Sequence, residues 1–85
     1  MFESIVSVRI EVYEYLATLK RPDRERIIRW FETLRQTNFQ PGDFNDRDDS
    51  GRIIQVRVIG RHALSYWHDG PVNEFKVVKI ELADE

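Results

Sequence analysis

The stretch Arg52-Ile-Ile-Gln-Val-Arg-Val-Ile-Gly-Arg-His-Ala-Leu-Ser-Tyr-Trp-His-Asp-Gly-Pro-Val-Asn-Glu-Phe-Lys-Val-Val-Lys-Ile-Glu-Leu82 decides the fold. Its β-prone residues make three runs, cut by two turn signals, Gly60-Arg61 and Asp69-Gly70-Pro71. A glycine followed by another residue suits a two-residue type II′ hairpin, and Asp-Gly suits positions that need positive φ. The expectation is a three-strand antiparallel meander over 52–59, 62–68 and 74–82. Alternation then assigns sides. Ile54, Val56 and Val58 are expected to face the core, with Ile53, Gln55, Arg57 and Ile59 opposite. In the next run His62, Leu64, Tyr66 and His68 oppose Arg61, Ala63, Ser65 and Trp67. In the last, Val78, Ile80 and Leu82 are expected in the core, leaving Phe75, Val77, Lys79 and Glu81 outside. The uncovered side of such a sheet is semi-apolar as well as polar, and an exposed surface of that kind often binds something.

Upstream of the meander the period changes. Residues 2–8 are β-prone and read as a first strand. From Arg9, the residues Val8, Val12, Leu16 and Leu19, with Tyr15 beside them, form the i, i+4 stripe of a helix of about three turns. Lys20-Arg21-Pro22-Asp23 breaks and restarts the helix, because proline suits a first helical position, where its missing N–H has no partner to lose. Ile27, Trp30, Phe31 and Leu34 form the second stripe, and Glu25 and Arg29 stand i, i+4 on its outer side. The short connection implies an antiparallel helix hairpin. Asn38 to Gly51 reads as a polar loop with a turn at Pro41-Gly42, pinned to the core by Phe39 and Phe44. Its four aspartates lack the ligand order, glycine and closing glutamate of an EF-hand, so a solvated acidic loop is expected rather than a calcium site. The sum is β-α-α-β-β-β, a two-layer α+β domain with the helix hairpin on one face of a mainly antiparallel sheet.

Eighty-five residues make one domain, spanning 1–85, with a modest buried fraction. There is no cysteine, which removes disulfides and thiolate metal sites and is compatible with a reducing cytoplasm. No apolar run approaches a membrane span and the N-terminal residues do not read as a signal peptide, so a cytoplasmic chain without membrane association is expected. The net charge of −2 is unevenly spread: Lys20, Arg21, Arg24, Arg26, Arg29 and Arg35 load the second helix. Bulk charge does not predict nucleic-acid binding; local patches allow it.

The order β-α-α-β-β-β resembles the RelE/ParE superfamily of bacterial toxins. So does the run from Gly51 through Trp67, in which a polar–apolar strand leads to a glycine turn and an apolar strand ending in aromatics. The stretch Gly42 to Gly51 with the strand after it looks like a small subgroup of these toxins. The resemblance covers nearly the whole chain and implies the toxin of a type II toxin–antitoxin pair, bound by a cognate antitoxin protein. RelE-type members cleave messenger RNA on the ribosome and ParE-type members inhibit DNA gyrase; no cofactor is implied. Gln55 and Arg57 fall where RelE-type toxins place basic residues, and His62 falls where they place an arginine after the hairpin. Active members commonly carry Arg, Lys, His or Tyr after the last strand, where this sequence reads Ile80-Glu-Leu-Ala-Asp-Glu85. That departure and the near-neutral charge favour a non-enzymatic binder on the same fold, a gyrase inhibitor or an inactive relative. An unrelated small α+β interaction domain is the third class.

Metal-free RNA cleavage needs a base for the 2′-hydroxyl, an acid for the leaving 5′-oxygen and a cation for the phosphorane. Arg57 supplies a fixed fork of donors for that charge. Histidine is the side chain suited to proton transfer near neutral pH, so His62 or His68 is the candidate acid or base. Tyr66 or Trp67 could stack a base. Gln55, Arg61, Lys20, Arg21 and Arg24 are further candidate RNA contacts, which would show as steep salt dependence. Each has a structural alternative: strand cation, core histidine, core aromatic, or solvated helix face.

Overall fold

The computed structural model describes residues 3–37 and 41–83. Two helices lie on one face of a five-stranded mixed sheet. The meander forms nearly as its residues dictate: β3 is Ile53–Ile59, β4 is His62–Asp69 and β5 is Glu74–Leu82. Gly60 opens the first turn at φ 62 and Arg61 stays out of the positive region, as a type II′ hairpin requires. At the second turn a short 3₁₀ segment, Gly70–Val72, intervenes, and the positive φ falls on Asn73 at 52° rather than on Gly70.

The first strand, β1, is Ile5–Val8, and it pairs parallel to β5, so the sheet order is β1-β5-β4-β3-β2. Helix α1 is Ile10–Ala17 and buries Val12 and Leu16. Helix α2 is Arg21–Arg35, with Pro22 in its first turn, and buries Ile27, Trp30, Phe31 and Leu34. Arg24 ties the two helices together, donating from Nη1 to the Leu19 carbonyl at 2.8 Å. Glu25 pairs with Arg21 at 2.8 Å rather than with Arg29. An exposed pair of this kind contributes about 0.3–0.5 kcal/mol, but the choice leaves Arg29 without a carboxylate partner among the described residues.

The polar stretch read as a loop contains a strand. Phe44–Arg47 is β2, antiparallel to β3 with Phe44 opposite Val56 and Arg47 opposite Ile53. All of its residues are exposed, so no burial alternation marks it. Phe44 is 53 % exposed and does not pin the segment to the core; Phe39 lies outside the described residues. What holds the segment is backbone: the Asp43 N–H donates to the Val56 carbonyl at 2.7 Å, and the Asp43 carboxylate accepts the Val58 N–H at 2.8 Å.

Strand faces differ from the expectation in two places. Gln55 stands opposite Tyr66, Arg57 opposite Leu64 and Ile59 opposite His62. Directly opposed residues share a face, and Leu64 and Tyr66 belong to the helix-side core. It is therefore Gln55, Arg57 and Ile59 that face the helix layer, and Ile54, Val56 and Val58 that lie on the other side. Ile54 and Val56 are buried there all the same, so apolar content on one parity was a poor guide to the helix side. In β5 the register steps: Ser65 faces Lys79 but Tyr66 faces Val77, which leaves Val78 as an extra residue. This bulge reverses the parity. Phe75 and Val77 are core before it, and Ile80 packs on the core after it. A single alternation run through the strand puts Phe75 and Val77 on the wrong side.

Candidate functional site

Gln55, Arg57, His62, Tyr66 and His68 all point to the helix side, yet they do not form one site. Tyr66 is fully buried, with its ring at 5.0 Å and 73° to Trp30 and 6.2 Å from Phe75. A ring so enclosed has no free face for a base, which corrects the stacking role expected of it. Burial pushes its phenol up to about 12; the nearby Arg57 charge opposes this and Asp43 adds to it. An unfolded tyrosine titrates near 10. The stability linked to this phenol is therefore complete below about pH 10 and is lost as pH rises through 12. Of the three tyrosines, one is expected to ionise late in an alkaline absorbance titration, accompanied by unfolding, and Tyr66→Phe should remove that late step. Simultaneous ionisation of all three near pH 10 would contradict it.

His62 is 6 % exposed, with Nδ1 sharing a hydrogen bond with the Tyr15 hydroxyl at 3.2 Å and its ring edge-on to Tyr15. His68 lies against Phe75 at 4.6 Å, and its Nε2 is 3.1 Å from Asn73 Oδ1. Asn73 also accepts from the Ser4 hydroxyl at 3.1 Å and donates to the Glu3 carbonyl at 3.2 Å. That network latches the N-terminal segment to the β4–β5 connection. The two histidines are six residues apart on β4, about 20 Å along a strand. Both are held by structural partners, and they do not meet Arg57 as an acid–base pair. Gln55 accepts the Gly42 N–H at 2.8 Å through Oε1 and so anchors the approach to β2. Arg61 is exposed in the hairpin turn, and its carbonyl accepts the Ala83 N–H at 2.8 Å. Lys20 is exposed at the start of α2, while Arg21 and Arg24 are engaged as described above.

Arg57 instead joins the basic helix. β2 covers β3 only as far as Val56, so the half-buried Arg57 emerges beside α2. There it lines a notch of about 470 Å³ with Arg26, Arg29, Trp30 and Thr33 from α2, closed by Val58 to Gly60. None of these three arginines has a carboxylate within salt-bridge distance among the described residues. Gly60 permits the close approach: a side chain there would start 3.0 Å from Arg26 Nη1. The Trp30 indole N–H is buried with no hydrogen-bond partner among the described residues, a deficit that costs roughly 1–3 kcal/mol.

A second concavity, about 800 Å³, occupies the uncovered face of the sheet. Trp67 is at its centre. The Arg52 guanidinium carbon lies 4.0 Å from its ring centroid and Lys76 Nζ lies 5.0 Å away. Register explains the grouping, because Trp67 stands opposite Lys76 on β5 and Arg52 precedes Ile53 on the other flank. Each cation also reaches a carboxylate, Lys76 to Asp69 at 3.2 Å and Arg52 to Asp48 at 3.7 Å. Asp48 shapes the rim: its Oδ1 accepts from the Ser50 hydroxyl at 2.7 Å and from the N–H groups of Ser50 and Arg52. The Ser50 hydroxyl is the main reason this carboxyl is held below its usual range; backbone donors and the Arg52 charge help, against a smaller desolvation effect. Among the described residues no cluster suited to a metal ion occurs, and no helix is long and apolar enough to cross a membrane. Arg52 and Lys76 were missed as site residues. The signal for them was present in the shared parity of Arg52 and Ile54 and in the face given to Trp67, but only the pairing register joins the two.

Compared with known proteins, the chain matches no family model and no curated protein.

Proposed function

We propose that this chain is the toxin of a type II toxin–antitoxin pair, RelE/ParE-like in fold, and that it engages RNA phosphates through the notch of Arg26, Arg29 and Arg57. One observation carries the reading: three arginines from two different elements converge without a carboxylate partner among the described residues, at the strand position where the resemblance expects a basic residue. Such unneutralised guanidinium forks are suited to phosphate oxygens. In the cleaving form, on messenger RNA at the ribosome, Arg57 stabilises the phosphorane charge and other groups supply the proton transfers. The second reading is a non-enzymatic binder on the same fold, a gyrase inhibitor or an inactive relative. The placement of His62 on Tyr15 and of His68 on Asn73 favours it, because each imidazole bonds a structural partner and the two lie at opposite ends of β4.

Induced expression in a bacterium, with and without the neighbouring gene, tests the toxin reading. Growth arrest relieved by the neighbour, the cognate antitoxin, supports it; unimpaired growth sinks it. Mapped breaks in transcripts distinguish cleavage from binding. Arg57→Ala is expected to abolish the arrest while the thermal transition stays within a few degrees of the parent, since Arg57 is half-buried at a strand margin. Undiminished toxicity in that variant removes the notch from the mechanism.

A further inference from the structure

The groove on the uncovered face is chemically unlike the notch and lies in the other layer of the molecule. The notch presents charge with a buried indole; the groove presents an accessible aromatic ring with charge around it. Trp67 is half-buried and carries two cations over its ring. Both are held by carboxylates at 3.2 and 3.7 Å, in pairs that remain partly open to solvent, and such pairs are weak. Beyond them the lining adds Arg9, Arg47 and Lys79 against Asp46, Asp48 and Asp49, so cations still outnumber carboxylates in the groove. The lining runs from β2 across β3, β4 and β5 to Ser7 on β1, about 19 Å at the usual strand spacing. That distance accommodates more than one phosphate of an extended strand. Every base has a π-face that an indole can stack, and a paired base hides it.

We infer that this groove binds single-stranded nucleic acid, with Trp67 stacking one splayed base and Arg52, Lys76 and Lys79 meeting the flanking phosphates. On binding, the two cations pass from the indole and their carboxylates to the phosphates, and the base takes their place on the ring. No bond is made or broken. The site does not depend on the toxin reading: a chain that leaves growth unaffected still has this groove, and oligonucleotide binding in vitro tests it separately.

The experiment is fluorescence anisotropy of a labelled short oligouridylate titrated with the full chain. Saturable binding is expected, with a matched duplex bound more weakly. Trp67→Ala should lose about tenfold or more in affinity. Trp67→Phe, which keeps a stacking ring, should recover much of it and guards against a variant that merely unfolds. Replacing Arg52 and Lys76 by alanine together should flatten the logarithmic salt slope by about 1.4, two contacts at about 0.7 each. Equal affinity for duplex and single strand, or an unchanged affinity in folded Trp67→Ala, overturns the proposal. So does polyglutamate that binds as tightly as the oligonucleotide and displaces it, since the groove would then be a site for acidic peptide.

Discussion

Tyr66→Ala is expected to cost about 3–5 kcal/mol of folding stability, the range for deleting a large buried ring. A chain of 85 residues has roughly 4–13 kcal/mol in total, so this one change removes a large share of it. The ring stands where the layers meet. It touches Trp30 from α2 and Phe75 from β5, and its strand neighbour Leu64 is fully buried beside it. Ile27 and Leu34 of the same core cluster are themselves completely enclosed, so moving either into the space would disturb its own packing. Urea unfolding followed by far-UV dichroism gives the number. Tyr66→Phe, which keeps the ring, should lose far less. A Tyr66→Ala variant within about 1 kcal/mol of the parent, the ordinary size for a point mutation, would mean that the two layers are not packed through this residue.

The same residue shows what could be read from the amino-acid order. Strand limits in the meander followed directly from alternation and from Gly60, because half-buried strands must alternate and a two-residue hairpin must have positive φ at its first position. The helix stripes were legible for the same reason: Val12 and Leu16, then Ile27, Trp30, Phe31 and Leu34, are the buried residues of α1 and α2. Three things were not. β2 is exposed along its whole length, so its pairing to β3 leaves no trace in hydrophobicity. The bulge at Val78 reverses parity in mid-strand. The helix side of β3 is the side carrying Gln55 and Arg57, because β4 fixes the register, and Ile54 and Val56 are buried on the opposite face.

For the candidate site the limit was register rather than residue type. The basic character of α2 and of Arg57 was plain, but their convergence depends on β2 ending short of Arg57 and on Glu25 choosing Arg21 over Arg29. His62 and His68 invite a chemical reading because they are imidazoles, yet each is held by a structural partner, His62 by Tyr15 from α1 and His68 by Asn73 at the end of the β4–β5 connection. Trp67 was a candidate from the outset. Its company, Arg52 and Lys76, emerges only when three strands are aligned.

Gly42→Ala is expected to detach β2 from the sheet. A methyl group at Gly42 would start 2.5 Å from the Val56 carbonyl oxygen and 2.8 Å from its nitrogen, and both are backbone atoms of a central strand that cannot yield. The segment must move instead. It then loses the Gly42 N–H bond to Gln55 and the two bonds that Asp43 makes to Val56 and Val58. Overpacking of this kind costs about 1–3 kcal/mol. Gly70→Ala is the control, because nothing among the described residues lies within 4 Å of its added methyl, and its stability should be close to the parent's. Amide exchange gives the decisive reading: in Gly42→Ala the Val58 N–H, now without the Asp43 carboxylate, should exchange much faster while the Leu64 N–H in the core strand changes little. The consequence reaches the groove, since Arg47 donates to the Gly51 carbonyl at 2.8 Å and Asp48 holds Arg52. With β2 released, Arg52 loses the rim that sets it over Trp67, and oligonucleotide affinity should fall together with the exchange protection. Retained protection at Val58 in a folded Gly42→Ala protein would show that the sheet edge absorbs the methyl without releasing the strand.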